Sequence, residues 1–180
     1  MADQDSINPT PEGMGEGTPE TPAATTIAQY IKDLSAESPS APQVFQWQTQ
    51  PSLDVQFGIN GGKVADDVHE VILKIDVAAK SDSGTHFIID LSYAGLFAFR
   101  NIPDESLPPF LLIEAPRLLF PFARQIVADA VQNLGFPPVL LDPIDFSQAY
   151  MAQMQAQADA QAAQVEGQPG GDGEPPVGHA

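Results

Sequence analysis

Three consecutive segments of this chain alternate apolar and polar residues with a period of two. In THFIIDLSYAGLFAF (residues 85–99), Phe87, Ile89, Leu91 and Tyr93 fall on one parity, and His86, Ile88, Asp90 and Ser92 on the other. HEVILKIDVAAK places Val71, Leu73, Ile75 and Val77 on one side, opposite Glu70, Ile72, Lys74 and Asp76. SLDVQFGIN repeats the pattern with Leu53, Val55, Phe57 and Ile59. Alternate side chains of a strand point to opposite faces, so each segment reads as a strand with one apolar face. Asn60-Gly61-Gly62 and Asp82-Ser83-Gly84 are turn sequences between them. The chain is therefore expected to hold three consecutive antiparallel strands with tight connections.

The period then changes. In FPFARQIVADAVQNLG, Ala123, Val127, Ala130 and Leu134 recur at helical spacing, as do Phe122, Ile126 and Ala130. Pro121 suits a first helical turn and Gly135 the position just past the end. Asp145 reads as the N-cap of a last helix, FSQAYMAQMQAQADAQAAQ, in which Phe146, Tyr150 and Met154 lie four apart. Upstream, TIAQYIKDLSAE fits either element: Ile27, Ile31 and Leu34 have helical spacing, while Tyr30, Lys32 and Leu34 alternate. Strands followed by helices predict an α+β domain, an antiparallel sheet with helices on one side.

The 180 residues suffice for one domain, and all fourteen aromatic residues lie between Tyr30 and Tyr150. Residues 1–26 and 166–180 are rich in Pro and Gly, acidic and free of aromatics, so they are expected to be disordered around a body of 27–165. The formal charge is −17, and all seven Lys and Arg fall between Lys32 and Arg124. Such a chain repels nucleic acid and anionic lipid, and a charge-steered partner should be basic. The chain has no cysteine, which excludes disulfides, Cys-based zinc sites and thiol catalysis. No signal-peptide pattern opens the sequence and no stretch nears the roughly 20 apolar residues of a span, so a cytoplasmic protein without membrane insertion is expected.

Residues arranged for chemistry are few in this chain. His69 has Asp66, Asp67 and Glu70 near it in sequence, but neighbouring strand residues diverge, so no metal site is expected. His86 opens a strand without an evident partner, and His179 lies in a tail. The glycines of Gly13–Gly17 stand in an acidic tail with no strand before them, which removes a phosphate loop. No nucleotide, hydrolase or zinc-protease motif is present, and neither a cofactor nor an enzymatic activity is expected. What the chain has in abundance is apolar strand surface ringed by acid. Ile72 and Ile88 put apolar residues on the second face as well, where a one-sided sheet should be polar, which predicts self-association.

Four collinear blocks carry a resemblance to a known family. YIKDLSAESPSAPQVF (Tyr30–Phe45), VADDVHEVILKIDV (Val64–Val77), HFIIDLSYAGLF (His86–Phe97) and LLFPFARQIVADAVQNLGFPP (Leu118–Pro138) closely resemble the SecB family of bacterial protein-export chaperones. The resemblance implies a four-stranded antiparallel sheet with helices on one face, and thus a strand at Ile27–Glu37. It implies a homotetramer, a dimer of dimers, that captures unfolded precursor proteins without ATP and delivers them to the SecA motor. It places motor contacts at Asp33, Glu37, Ile88 and Asp90 on the exposed sheet face. It places assembly-sensitive positions at Phe87, Ile89, Leu91 and Tyr93. The family pattern has a tryptophan directly before Gln-Pro; here Thr49 holds that place and Trp47 stands two residues earlier.

A client site is expected on the Pro-bounded segment carrying Phe45, Trp47, Leu53, Val55 and Phe57, which share one parity in an extended run. Residues Leu118–Leu134 and the proline-stiffened loop Phe136–Leu141 would supply the facing wall, with Phe136 included in the site. A small-ligand or lipid-binding α+β protein could use the same groove, as could a SecB-like chaperone of a toxin–antitoxin system.

Overall fold

The structure is a computed structural model that describes residues 21–166. The disorder expected of 1–20 and 167–180 lies outside the described residues. Four strands, β1 (Ala23–Glu37), β2 (Ser52–Ala65), β3 (Val68–Ser81) and β4 (Gly84–Arg100), form one antiparallel sheet in the order β1-β4-β3-β2. The three alternating segments are β2, β3 and β4, joined as hairpins. β1 begins at Ala23, four residues before the expected boundary at Ile27.

β1 explains its own ambiguous pattern. Its pairing with β4 shifts register between Ile31 and Asp33. Such a bulge inserts one residue, so residues three apart share a face. Ile31 pairs with Tyr93 and Leu34 with Leu91, both on the same side of the sheet. A helix would show the same spacing.

The β2–β3 turn does not fall on Asn60-Gly61-Gly62. Those residues stay in the ladder, opposite Ile72, Val71 and Glu70. The chain reverses at Asp66-Asp67, between the paired Ala65 and Val68. Asp67 has φ 58°, a left-handed conformation that Asp adopts more readily than most side chains. The β3–β4 turn does fall on Asp82-Ser83, with Ser81 paired to Gly84.

After β4, Leu107–Pro109 is one α-helical turn, Phe110–Glu114 a π-helical turn, and Ala115–Asn133 the long helix α1. Because the helix starts this early, Pro116 is its first-turn proline and Pro121 lies inside it, where it has no N–H to donate to the Arg117 carbonyl. Of the first expected stripe, Ala123, Val127 and Ala130 are buried and Leu134 half-buried, with Leu119 and Val131 buried beside them, whereas Phe122 of the second is exposed. Gly135 (φ 90°) ends the helix: its N–H donates to the Gln132 carbonyl at 2.9 Å and that of Phe136 to the Val131 carbonyl at 3.3 Å, a Schellman closure. Asp145 caps α2 (Phe146–Glu166), its Oδ1 accepting the Ser147 and Gln148 N–H groups at 3.0 and 3.1 Å.

α1 lies on one face of the sheet. That face carries Val71, Leu73, Ile75 and Val77 beside Phe87, Ile89, Leu91 and Tyr93, and these residues form one core with the helix. Each such side chain contributes about 1.5–3 kcal/mol by leaving water. The positions expected to be assembly-sensitive lie on this face. Phe87, Ile89, Leu91 and Tyr93 face the protein's own helix, and Leu91 is 0% exposed. The parity is right, but these side chains are interior to the subunit.

Candidate functional site

β1 and β2 occupy opposite edges of the sheet, so the chain between them must cross its end. That crossing, residues 38–51, carries a short 3-10 helix, Gln43–Gln46, with Val44 buried as its anchor. The helical turn removes Phe45 from the extended run, so it does not share strand parity with Leu53. Phe45 stacks instead on Phe136, ring centroids 5.4 Å apart. Trp47 lies over the β3–β4 turn, where a Cβ on Gly84 would come within 3.0 Å of its ring, and meets His86 edge-on at 5.0 Å. Gly84 has φ 135°, so this seat for the indole depends on a residue without a side chain.

From the crossing the chain enters β2, whose Leu53, Val55 and Phe57 do share a face. Opposite them runs the proline-stiffened connection between α1 and α2. Two adjoining hollows lie between these walls. One, of about 380 Å³, is bounded by Leu53, Val55 and Phe57 on one side and Val139–Ile144 on the other. The second, of about 320 Å³, adds Pro51, His86, Phe87 and Phe136, and shares Leu53 and Val139 with the first. Leu53 is 50% exposed, Phe57 41% and Leu140 72%, all high for large apolar side chains at the mouth of a groove. Phe57 rests edge-on against Phe120, its link to α1. The facing wall is thus the 139–144 loop rather than the length of α1.

The six residues expected at a client site are therefore gathered. Leu53, Val55, Phe57 and Phe136 line the groove, Phe45 closes onto Phe136, and Trp47 packs against a lining residue. His86 joins them, a residue with no partner evident in the sequence. Its partners, Ser81, Trp47 and Phe136, all come from other elements.

The outer face of the sheet is a separate surface. Directly opposed residues of antiparallel strands share a face. Glu37, Ile88 and Ala78 form one row across β1, β4 and β3; Ser35, Asp90 and Asp76 the next; Asp33, Ser92 and Lys74 the third. The structure thus brings Asp33, Glu37, Ile88 and Asp90 onto one patch, with Ile88, 39% exposed, in the row of Glu37 at one end. Asp90 and Asp76 are opposed like charges. Lys74 lies between them, 3.3 Å from Asp90 Oδ2 and 3.5 Å from Asp76 Oδ1, and its ammonium is held above its usual pKa, first by the hydrogen bond to Asp90. Farther along the same face, Glu70 of β3 reaches across β4 to accept hydrogen bonds from Tyr30 and Lys32 of β1, the latter at 2.6 Å. These bonds, that of Lys32 first, hold the Glu70 carboxyl below its usual range.

The groups around His69 do not converge. His69 pairs with Phe97, packs against Phe99 and has a buried, unpaired Nδ1, while Glu70 is tied to β1 and Asp66 pairs with Lys63. Among the described residues no group of three or more His, Asp or Glu could hold a metal ion. No described helix is long and apolar enough to cross a membrane.

Comparison with known proteins agrees with this geometry. The family model described as "Preprotein translocase subunit SecB" matches residues 18–157. "Protein-export protein SecB" of Sphingopyxis alaskensis is 55% identical over 183 residues, covering 100% of both chains. The protein of that name from Zymomonas mobilis is 54% identical, covering 78% of this chain and 85% of its own. Among solved structures, the SecB-like chaperone Rv1957 of Mycobacterium tuberculosis, in complex with a ChAD peptide from the HigA1 antitoxin, superposes with a TM-score of 0.57 at 18% identity. It covers 67% of this chain and 90% of its own, and shows the same fold. With the four-stranded sheet, the helix-covered face and the family match over 18–157 in agreement, the chain belongs to the SecB family.

Proposed function

We propose that this protein is an export chaperone of the cytoplasm. It holds unfolded precursor chains in the groove between β2 and the 139–144 loop and passes them to the SecA motor across the outer sheet face. The observation that carries the reading is the groove: two adjoining apolar hollows, open to solvent, walled by Leu53, Val55, Phe57 and Phe136. With few polar groups to fix an orientation, such a groove selects apolar, unstructured chain over any one sequence. Names of the close relatives support export as the setting and assign no catalysis. Release calls for a competing partner and no nucleotide.

Asp33, Glu37 and Asp90, on one patch with Ile88, fit a basic segment of that partner, since rim carboxylates chiefly raise the rate of encounter. Assembly as a dimer of dimers is supported by apolar side chains left exposed on β1 and α1, Ile27, Ile31, Leu118 and Phe122 among them. Phe87, Ile89, Leu91 and Tyr93 would support that assembly from beneath, by holding the sheet to α1. Four linked grooves on one long client raise avidity by roughly 10²–10⁴ without new contacts.

The test uses one model precursor, folded and kept unfolded, with the wild type and a Leu53→Ser/Val55→Ser variant. The wild type should bind the unfolded form tightly, the folded form little, and ATP should change neither. The variant should lose at least about tenfold in affinity with assembly unchanged, as expected for two apolar contacts worth about 1.5–3 kcal/mol each when fully buried. A variant that binds as well as wild type removes this groove as the client site.

A further inference from the structure

The groove contains a titratable side chain in an apolar setting. His86 is 5% exposed and lines the hollow with Leu53, Phe87, Phe136 and Val139. Its Nε2 lies 2.9 Å from Ser81 Oγ, its ring meets Trp47 edge-on at 5.0 Å, and its carbonyl accepts a hydrogen bond from Ser38 Oγ at 2.9 Å. A serine hydroxyl can donate or accept, so Ser81 serves either charge state of the ring. The elements packed against His86 bring Ser81 from β3, Ser38 and Trp47 from the crossing and Phe136 from the α1–α2 connection, none of them titratable. Lys80, Asp82 and Asp90, its charged neighbours along the chain, do not line the hollow.

We propose that His86 is a specificity-determining residue of the client groove: neutral, it is part of the apolar wall; protonated, it turns that wall against apolar segments and toward segments carrying a carboxylate. The proposal rests on the reading of the groove as the client site. A client side chain seated over the ring displaces the water that would solvate an imidazolium, and the hollow that holds His86 has no lining carboxylate to replace it; Asp142 lines only the adjoining hollow. Client binding and protonation of His86 therefore oppose each other, and linkage makes the opposition measurable as a pH dependence of affinity. A glutamate on the client beside the apolar residue supplies the missing partner and relieves the conflict.

The experiment measures the affinity of two labelled, unstructured peptides of equal length for the full chain between about pH 8 and about pH 5.5, the range in which imidazoles change charge. Both carry the same Leu/Phe cluster and no histidine; one has no acidic residue, the other a glutamate beside the cluster. For the wild type, the acid-free peptide should bind more weakly at the lower pH, by up to about tenfold per pH unit for one coupled proton. The glutamate peptide should lose no more than about threefold. In His86→Phe and His86→Gln both pH profiles should be flat. Should His86→Phe fail to fold, His86→Gln, which keeps a polar group for Ser81, decides alone. A flat wild-type profile, or a variant that retains the wild-type pH dependence, overturns the proposal. Leu53→Ser separates the two levels: if it binds both peptides as wild type does, the groove reading itself fails and takes this proposal with it. If it weakens both while the His86 variants stay pH-dependent, only the role of His86 is lost.

Discussion

Leu91 and Asp90 are neighbours in one strand and live in different solvents. Leu91 lies beneath α1 with no exposed surface, while the Asp90 side chain is 40% exposed on the opposite face and shares Lys74 with Asp76. Most of β3 and β4 repeats this division; His86 and Ala94 of β4, both buried, depart from it. The helix face holds the subunit together through packing, and the outer face offers charge arranged in rows. A substitution therefore acts differently on the two parities: on one it changes packing, on the other it changes exposed charge.

The largest expected effect breaks the covered face. Leu91→Arg places an unpaired charge in a close-packed core and should cost more than about 4 kcal/mol, leaving insoluble or unfolded chain rather than a smaller assembly. A soluble, fully folded Leu91→Arg protein of altered stoichiometry, seen by circular dichroism and light scattering, would return Leu91 to a subunit interface.

A middle-sized effect sharpens the division, because Glu70 is an outer-face residue with a structural role. Glu70→Gln loses the charge that Lys32 and Tyr30 hold across β4, and should lower stability by about 1 kcal/mol at neutral pH. A carboxyl whose pKa is lowered by folding stabilises above its unfolded value, about 4.3, and that contribution fades as pH falls through the lower folded value. The gap between wild type and Glu70→Gln in urea unfolding should therefore close as the solution is acidified below that range. A gap that is constant down to about pH 3 would mean the ionised carboxylate contributes nothing.

Asp90→Lys should be the mildest for the fold, within about 0.5 kcal/mol, and still weaken a basic partner. Binding of purified SecA should fall about tenfold at low salt, and the difference should shrink once the Debye length drops to about 3 Å near 1 M salt. Equal affinity at both salt concentrations would remove Asp90 from an electrostatic contact.

Period-two patterns made most of this legible. The parity of β2, β3 and β4, the capping Asp145 and the closing Gly135 could all be read from residue type and spacing. Other features depend on partners far away in sequence. The bulge in β1 gives Ile31 and Leu34 a helical spacing, and only pairing with Tyr93 and Leu91 shows it to be a strand. Gly61-Gly62 has turn composition yet stays in the ladder, since two aspartates farther on close the hairpin. Pro121 reads as a helix start because the true start, at Ala115, follows a π turn without a pattern of its own. Period two also assigns Phe87, Ile89, Leu91 and Tyr93 to one apolar face without saying whether a helix or a second copy covers it. His86 looked isolated because each of its partners sits on a different element.

The crossing between β1 and β2 also sets an order of events. β2, β3 and β4 close as hairpins whose partners are near in sequence, whereas β1 pairs with β4, Glu37 with Ile88 and Ala23 with Arg100. Local pairings pay little loop entropy and form early; distant ones wait. On the ribosome β1 is the first strand made and the last to find its neighbour, because β4 must be synthesised before it can dock. Until then its Ile27, Ile31 and Leu34 are an unpaired apolar strand on a nascent chain, a sequence of the kind that chaperones capture. This protein, in its own synthesis, passes through the condition it is proposed to relieve in others.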